Sequence, residues 1–132
     1  MKANELMLND WVEFEASTTE FLYGKVIEIS ERYVTVDTIN DSICIEIDKV
    51  GQIPVTPKIL KKNGFERYFE GYYENPKELH ISYNDNLGCW YISDSHDQYM
   101  HSDYITSFSA VHELQNILRT LGFNDLADNF KI

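Results

Sequence analysis

The sequence predicts an α+β protein: a small SH3-like antiparallel β-barrel lobe, then a short helix, a second antiparallel sheet and a C-terminal helix. Three observations carry this. Up to Val55, apolar and polar residues alternate in short runs, the period of half-buried strands. The stretch 53–65 then carries the start and stop signals of a short helix. Near the C-terminus, Val111, Leu114, Leu118 and Leu121 recur at helical spacing.

In chain order, Asn9 and Asp10 lead into a first strand, 11–15, with Val12 and Phe14 on one face. A longer strand over 21–29 places Phe21, Tyr23, Ile27 and Ile29 on a shared face, and Gly24 within it suggests a bend or bulge. After a turn at Ser30, Glu31 and Arg32, a third strand over 33–37 holds Val34 and Val36 together. Asn40 and Asp41 make the next turn. The strand over 43–47 directs Ile43, Ile45 and Ile47 inward and Cys44 outward. A tight connection over 48–52 and a possible fifth strand at 53–55 would close a small, strongly bent barrel.

At the hinge helix, Thr56 can accept a hydrogen bond from a first-turn N–H, and Pro57 fits the first helical position because its missing N–H has no helical partner there anyway. Gly64 suits the left-handed stop, and Lys61 and Lys62 sit near the negative end of the helix dipole. Beyond it, 65–74 is aromatic-rich around Gly71 and broken by Pro76. The strand 79–83 puts Leu79, Ile81 and Tyr83 on one face and His80 and Ser82 on the other. Residues 84–88 read as a hairpin turn returning through Cys89, Trp90, Tyr91 and Ile92. A polar loop over 93–102 precedes a last strand at 104–108. Ser109 is placed to cap a helix to about Leu121, stopped by Gly122, and the tail can add a turn using Leu126 and Phe130.

The 132 residues allow one domain or two small lobes sharing a core. The reading here is an SH3-like β lobe over 1–55 and an α+β lobe over 56–132 packed against it without a flexible linker. No apolar run approaches the roughly 18 residues of a membrane span, and the polar start does not read as a signal peptide, so a cytoplasmic location is expected. Cys44 and Cys89 are then expected as reduced thiols, too few to frame a metal site. The net charge of −11 is scattered along the whole chain, which opposes non-specific nucleic-acid binding. Only Lys58, Lys61 and Lys62 cluster, on one short helix.

Four segments in order carry a resemblance: Asn9-Asp10-Trp11-Val12, Tyr23-Gly24-Lys25-Val26, the whole stretch from Ile53 through Thr56, Pro57 and Gly64 to Phe65, and Val111-His112-Glu113-Leu114-Gln115-Asn116-Ile117-Leu118. The chain resembles a family of short uncharacterised proteins of gut bacteria, their phages and mobile elements. The resemblance spans most of the chain outside 67–107. It implies a small α+β protein from a mobile-element setting and supplies no activity to carry over.

Several arrangements invite chemistry. His112 and Glu113 begin a His-Glu-x-x-His pattern, but Asn116 stands where zinc needs its second imidazole, so a zinc protease is excluded. His112, Gln115, Asn116 and Arg119 remain as a polar stripe beside the apolar one, able to meet a partner or to satisfy nearby backbone. Asp94, His96, Asp97, His101 and Asp103 form a dense His/Asp loop whose spacing demands no metal. Neither cysteine sits in a nucleophile elbow, and no phosphate-binding glycine loop is present. The aromatics Tyr68, Phe69, Tyr72, Tyr73, Trp90, Tyr91, Tyr99 and Tyr104 exceed what one small sheet face can bury. Core packing takes most of them, and the rest lie on the outer face or in an aromatic groove, the best hint of a binding surface.

These features point to a non-enzymatic accessory or adaptor protein that binds another protein, with no cofactor, metal, nucleic acid or membrane involved. The candidate contact residues are His112, Gln115, Asn116, Arg119, Tyr72, Tyr73, Trp90 and Tyr91. Two alternatives come from other classes. One is an acidic mimic occupying the nucleic-acid cleft of a host protein. The other is a small metal-dependent enzyme using the 94–103 loop.

Overall fold

Hydrogen-bonded strands and helices follow one another much as the patterning expects, but several of the packing assignments change. The computed structural model describes residues 1, 3–17, 20–69, 72–74, 79–93 and 106–132. Its strands are β1 (Trp11–Ser17), β2 (Glu20–Ile29), β3 (Tyr33–Asp37), β4 (Ser42–Glu46), β5 (Val50–Gly51), β6 (Glu66–Phe69), β7 (Tyr72–Glu74), β8 (His80–Asn84), β9 (Cys89–Ser93) and β10 (Thr106–Phe108). The helices are α1 (Pro57–Lys62), α2 (Val111–Thr120) and α3 (Asn124–Asp128). The chain is therefore mixed α+β with two antiparallel sheets, ordered β4-β3-β2-β1-β5 and β10-β9-β8-β7-β6.

The chain divides into two compact units that part after Pro54, near the expected boundary, and again at Ala110 and Lys131. The first holds Met1–Pro54 with Ala110–Phe130, and the second holds Val55–Ser109 with Lys131–Ile132. The C-terminal helix thus belongs with the N-terminal sheet. Side-chain hydrogen bonding, which periodicity does not encode, accounts for this: Gln115 on α2 accepts from the Trp11 backbone N–H at 2.8 Å and donates to the Asn9 carbonyl at 2.8 Å.

In the first unit, Leu6, Val12, Phe14, Val26, Val34, Val36, Ile45 and Val50 form the core under one face of the sheet. The sheet does not close into a barrel: β4 and β5 stand at opposite edges and do not pair. A 3-10 turn, Ile47–Lys49, turns the chain before β5, which at two residues reaches only β1. On β2, Ile29 parts from Phe21, Tyr23 and Ile27. A bulge between Val26 and Glu28 moves Ile29 onto the core side, where it packs against the cluster. Gly24, expected to bulge, instead lies flat opposite Val12, where an added Cβ would come within 3.0 Å of the Asp37 carbonyl oxygen. Val111, Leu114 and Leu118 are fully buried along α2, and Leu121 is half-buried.

Helix α2 starts one residue later than expected. Ala110 is its N-cap, and the Glu113 carboxylate accepts the Ala110 N–H at 3.0 Å, the half of a capping box that an alanine leaves possible. Gly122, at φ 90°, ends it: the Gly122 N–H bonds to the Arg119 carbonyl and the Phe123 N–H to the Leu118 carbonyl, the paired bonds of a Schellman stop.

In the second unit, α1 matches its punctuation. Thr56 Oγ1 accepts from the Ile59 N–H at 3.2 Å, Pro57 opens the helix, and Gly64 at φ 85° takes the left-handed position. The Phe65 N–H bonds to the Leu60 carbonyl and the Gly64 N–H to the Lys61 carbonyl, with Leu60 and Phe65 both fully buried. Asn63 holds the chain end, donating to the Lys131 carbonyl at 2.7 Å and accepting the Lys131 N–H at 2.8 Å. Across the sheet, Tyr73, Ile81 and Ile92 align on one face with Tyr83, Trp90 and Phe108, while His80 and Ser82 take the other. Among the described residues no helix is long and apolar enough to cross a membrane.

Candidate functional site

The polar stripe of α2 works inside the first unit. Gln115 is fully buried, and its third hydrogen bond goes to the Ala127 carbonyl at 2.9 Å. Arg119 donates to Asp10 at 2.6 Å, to Asp128 at 3.2 Å, to Asn116 at 2.7 Å and to the Leu8 carbonyl at 3.0 Å. Asn116 in turn donates to the Glu5 carbonyl at 3.3 Å. Asp10, fully buried, also accepts the Met7 N–H at 2.8 Å. Together these bonds hold residues 5–11, including Asn9 with its left-handed φ of 72°, against α2. Gln115 therefore offers nothing to a partner, and Gln115, Asn116 and Arg119 act as a brace; their amides and guanidinium answer groups of residues 5–11 and of α3.

His112 stands apart in this network. It is buried, and its Nδ1 has no hydrogen-bond partner. Burial pushes the imidazole below its ordinary value, against the opposing pull of Asp10, Glu113 and Glu5. Burial likewise pushes the Asp10 carboxyl up, while Arg119 and the Met7 N–H draw it back down.

Three of the aromatic candidates, Tyr73, Trp90 and Tyr91, divide between the two faces of the second sheet. Tyr73 and Trp90 are buried, meeting edge to face at 5.7 Å, and Tyr83 leans on Trp90 at 4.8 Å. Tyr91 is half-buried and already engaged, and its register places it across from Ser82 on the opposite face from Trp90. Tyr72 also pairs with Ser82 in backbone register. Strand alternation thus keeps Tyr91 from sharing a partner surface with Tyr73 and Trp90. Tyr99, Tyr104 and the His/Asp loop at 94–103 lie outside the described residues. Among the described residues, no three His, Cys, Asp or Glu side chains are grouped so as to hold a metal ion.

Among the described residues, the more exposed aromatics lie on the outer face of the first sheet, while Tyr83 of the second sheet is 41% exposed beside Trp90. Phe21 and Tyr23 on β2 are 59% and 50% exposed, and they stand directly opposite Glu15 and Glu13 on β1. The next row along pairs Trp11 with Lys25, whose ammonium lies 5.5 Å from the indole centroid and donates to the Asp128 carbonyl at 2.9 Å. Trp11 Nε1 donates to the Phe130 carbonyl at 2.6 Å. Farther on, exposed Tyr33 faces Glu46, which pairs with Lys49 at 3.8 Å. The face thus alternates rings and carboxylates while its reverse forms the core.

Sequence reasoning passed over this surface because β2 is apolar on both faces. Alternation alone does not say whether the Phe21 set or the Leu22 and Val26 set turns inward. The pairing of Glu13 and Glu15 with the rings was the available signal, since two carboxylates at alternate positions beside Val12 and Phe14 must face water. No known protein family, curated protein or solved structure matches this chain.

Proposed function

We propose that this protein is a non-enzymatic accessory protein that binds another protein through the outer face of its first sheet, in the mobile-element setting implied by the sequence resemblance. The carrying observation is the pair Phe21 and Tyr23, half-exposed rings on a strand whose other face supports the core. Large aromatics on a backbone already fixed by sheet pairing give contact area at little cost in order, the property that concentrates binding energy in Tyr, Trp and Phe. An SH3-like lobe is part of the same reading. Its support is the strand order β4-β3-β2-β1-β5 with a one-turn 3-10 helix between the fourth and fifth strands.

Nucleic-acid mimicry is the rival reading, and it calls for carboxylates in an uninterrupted row. Here Glu13 and Glu15 each face a ring, Tyr23 and Phe21, and Trp11 ends their row on β1, which favours protein binding. The test is affinity capture with the wild-type chain and with Phe21→Ser/Tyr23→Ser. A protein retained by the first and lost by the second, at an unchanged melting midpoint, supports the reading. An identical retained set contradicts it.

A further inference from the structure

We infer that the Phe21–Tyr23 face takes an extended, arginine-bearing segment of a partner protein; this rests on the protein-binding reading above. The rings and carboxylates form a grid. Glu15 sits opposite Phe21 and Glu13 opposite Tyr23, so each ring has a carboxylate on the neighbouring strand about 4.5–5.5 Å away at Cβ. Along β2 the rings repeat at i and i+2, which is about 6.8 Å in a strand. An extended peptide presents alternate side chains at the same interval, so two of its residues meet two rows of the grid.

Arginine suits each row. Its planar guanidinium stacks on an aromatic face and donates in-plane to a carboxylate at the same time, whereas lysine is a point charge that does one or the other less well. The chain fills the adjacent row with its own cation: Lys25 lies over Trp11 while donating to the Asp128 carbonyl. The Tyr23 and Phe21 rows repeat the ring and add a carboxylate, yet neither Glu13 nor Glu15 forms an ion pair among the described residues. Charge also selects against a second copy of this chain, since two such faces would oppose carboxylate to carboxylate in a molecule of net charge −11.

The probe is a fluorescein-labelled peptide of alternating Arg and Thr, compared with Lys–Thr and Glu–Thr peptides by anisotropy at physiological salt. The expected result is saturable binding of the Arg peptide, at least about threefold tighter than Lys and with no binding of Glu. Binding should fall about tenfold or more in Phe21→Ser/Tyr23→Ser and in Glu13→Gln/Glu15→Gln. The carboxamide pair guards against a folding defect in the ring variant, since it keeps every ring. Equal binding of Arg and Lys peptides, or binding that survives both double variants, means diffuse attraction to an acidic chain and overturns the inference. A peptide library that instead selects arginine-free segments in a Phe21-dependent way overturns it while leaving the protein-binding reading standing. Capture and library binding that both ignore Phe21 and Tyr23 remove the two together.

Discussion

Gln115 sits where an amphipathic helix could show a polar side chain to a partner, and it is among the best-buried side chains of the chain. Replacing it with Ala would leave the Trp11 N–H and two carbonyls unpaired away from water. We expect a loss of at least roughly 1–3 kcal/mol by urea denaturation. Asp10→Ala would strand Arg119, although Asp128 remains to it, so the loss should fall near the low end of roughly 3–5 kcal/mol. Leu118→Ala removes a fully buried side chain and should cost roughly 2–5 kcal/mol; an unchanged midpoint would take the α2 stripe out of the core.

Histidine 112 adds a pH dependence with a definite sign. Its folded value lies below the unfolded value of about 6.5, so the unfolded chain binds more protons as pH falls. The stability that goes with a neutral His112 is complete above that unfolded value and drains away as pH drops toward the folded one. Asp10 acts oppositely, because its raised value lends stability at the acid end that is lost as pH rises through that value. Urea midpoints taken from pH 8 down to 5.5 should therefore decline for the wild type and flatten in His112→Leu. A variant that keeps the full decline would place its origin elsewhere.

At the scale of elements, the two helix stops were readable because left-handed glycine is a local requirement. Gly64 and Gly122 both fulfil it, and at Gly122 an added Cβ would meet nothing within 4 Å. Gly122→Ala should thus cost only the backbone strain, roughly 1–2 kcal/mol in thermal or urea melts. Strand positions were readable for the same local reason. What alternation did not hold was the choice between two apolar faces of β2 and the bulge at Val26–Glu28, because both depend on which strand lies alongside. Ser109 likewise looked like a cap from its type alone. The helix instead begins after Ala110, which forms an isolated bridge to Pro54, a contact distant in sequence.

For the whole molecule, the least readable property was which segments share a core. The first unit is built from two separated stretches, and α2 reaches its sheet only after the second unit has been formed in sequence. A fragment ending at residue 55 lacks Val111, Leu114, Leu118 and the Gln115 bonds to residues 9 and 11. It should give no cooperative melt, whereas a sharp transition would show that the sheet stands alone. The acidic balance has its own consequence. Lys58, Lys61 and Lys62 offer few phosphate contacts against a net charge of −11, so oligonucleotides should show no salt-sensitive binding by anisotropy. Of the contact residues expected from sequence, Arg119 and Gln115 are braces and Trp90 is core, while Phe21 and Tyr23 are the most exposed rings among the described residues. The proposed binding face on the outer side of the first sheet is best tested by nuclear magnetic resonance. In a titration of the labelled protein with the Arg–Thr peptide, the backbone amides of Glu13, Glu15, Phe21 and Tyr23 should shift together and saturate. Shifts confined to β8 and β9 around Trp90 and Tyr91, with β1 and β2 unmoved, would contradict the account.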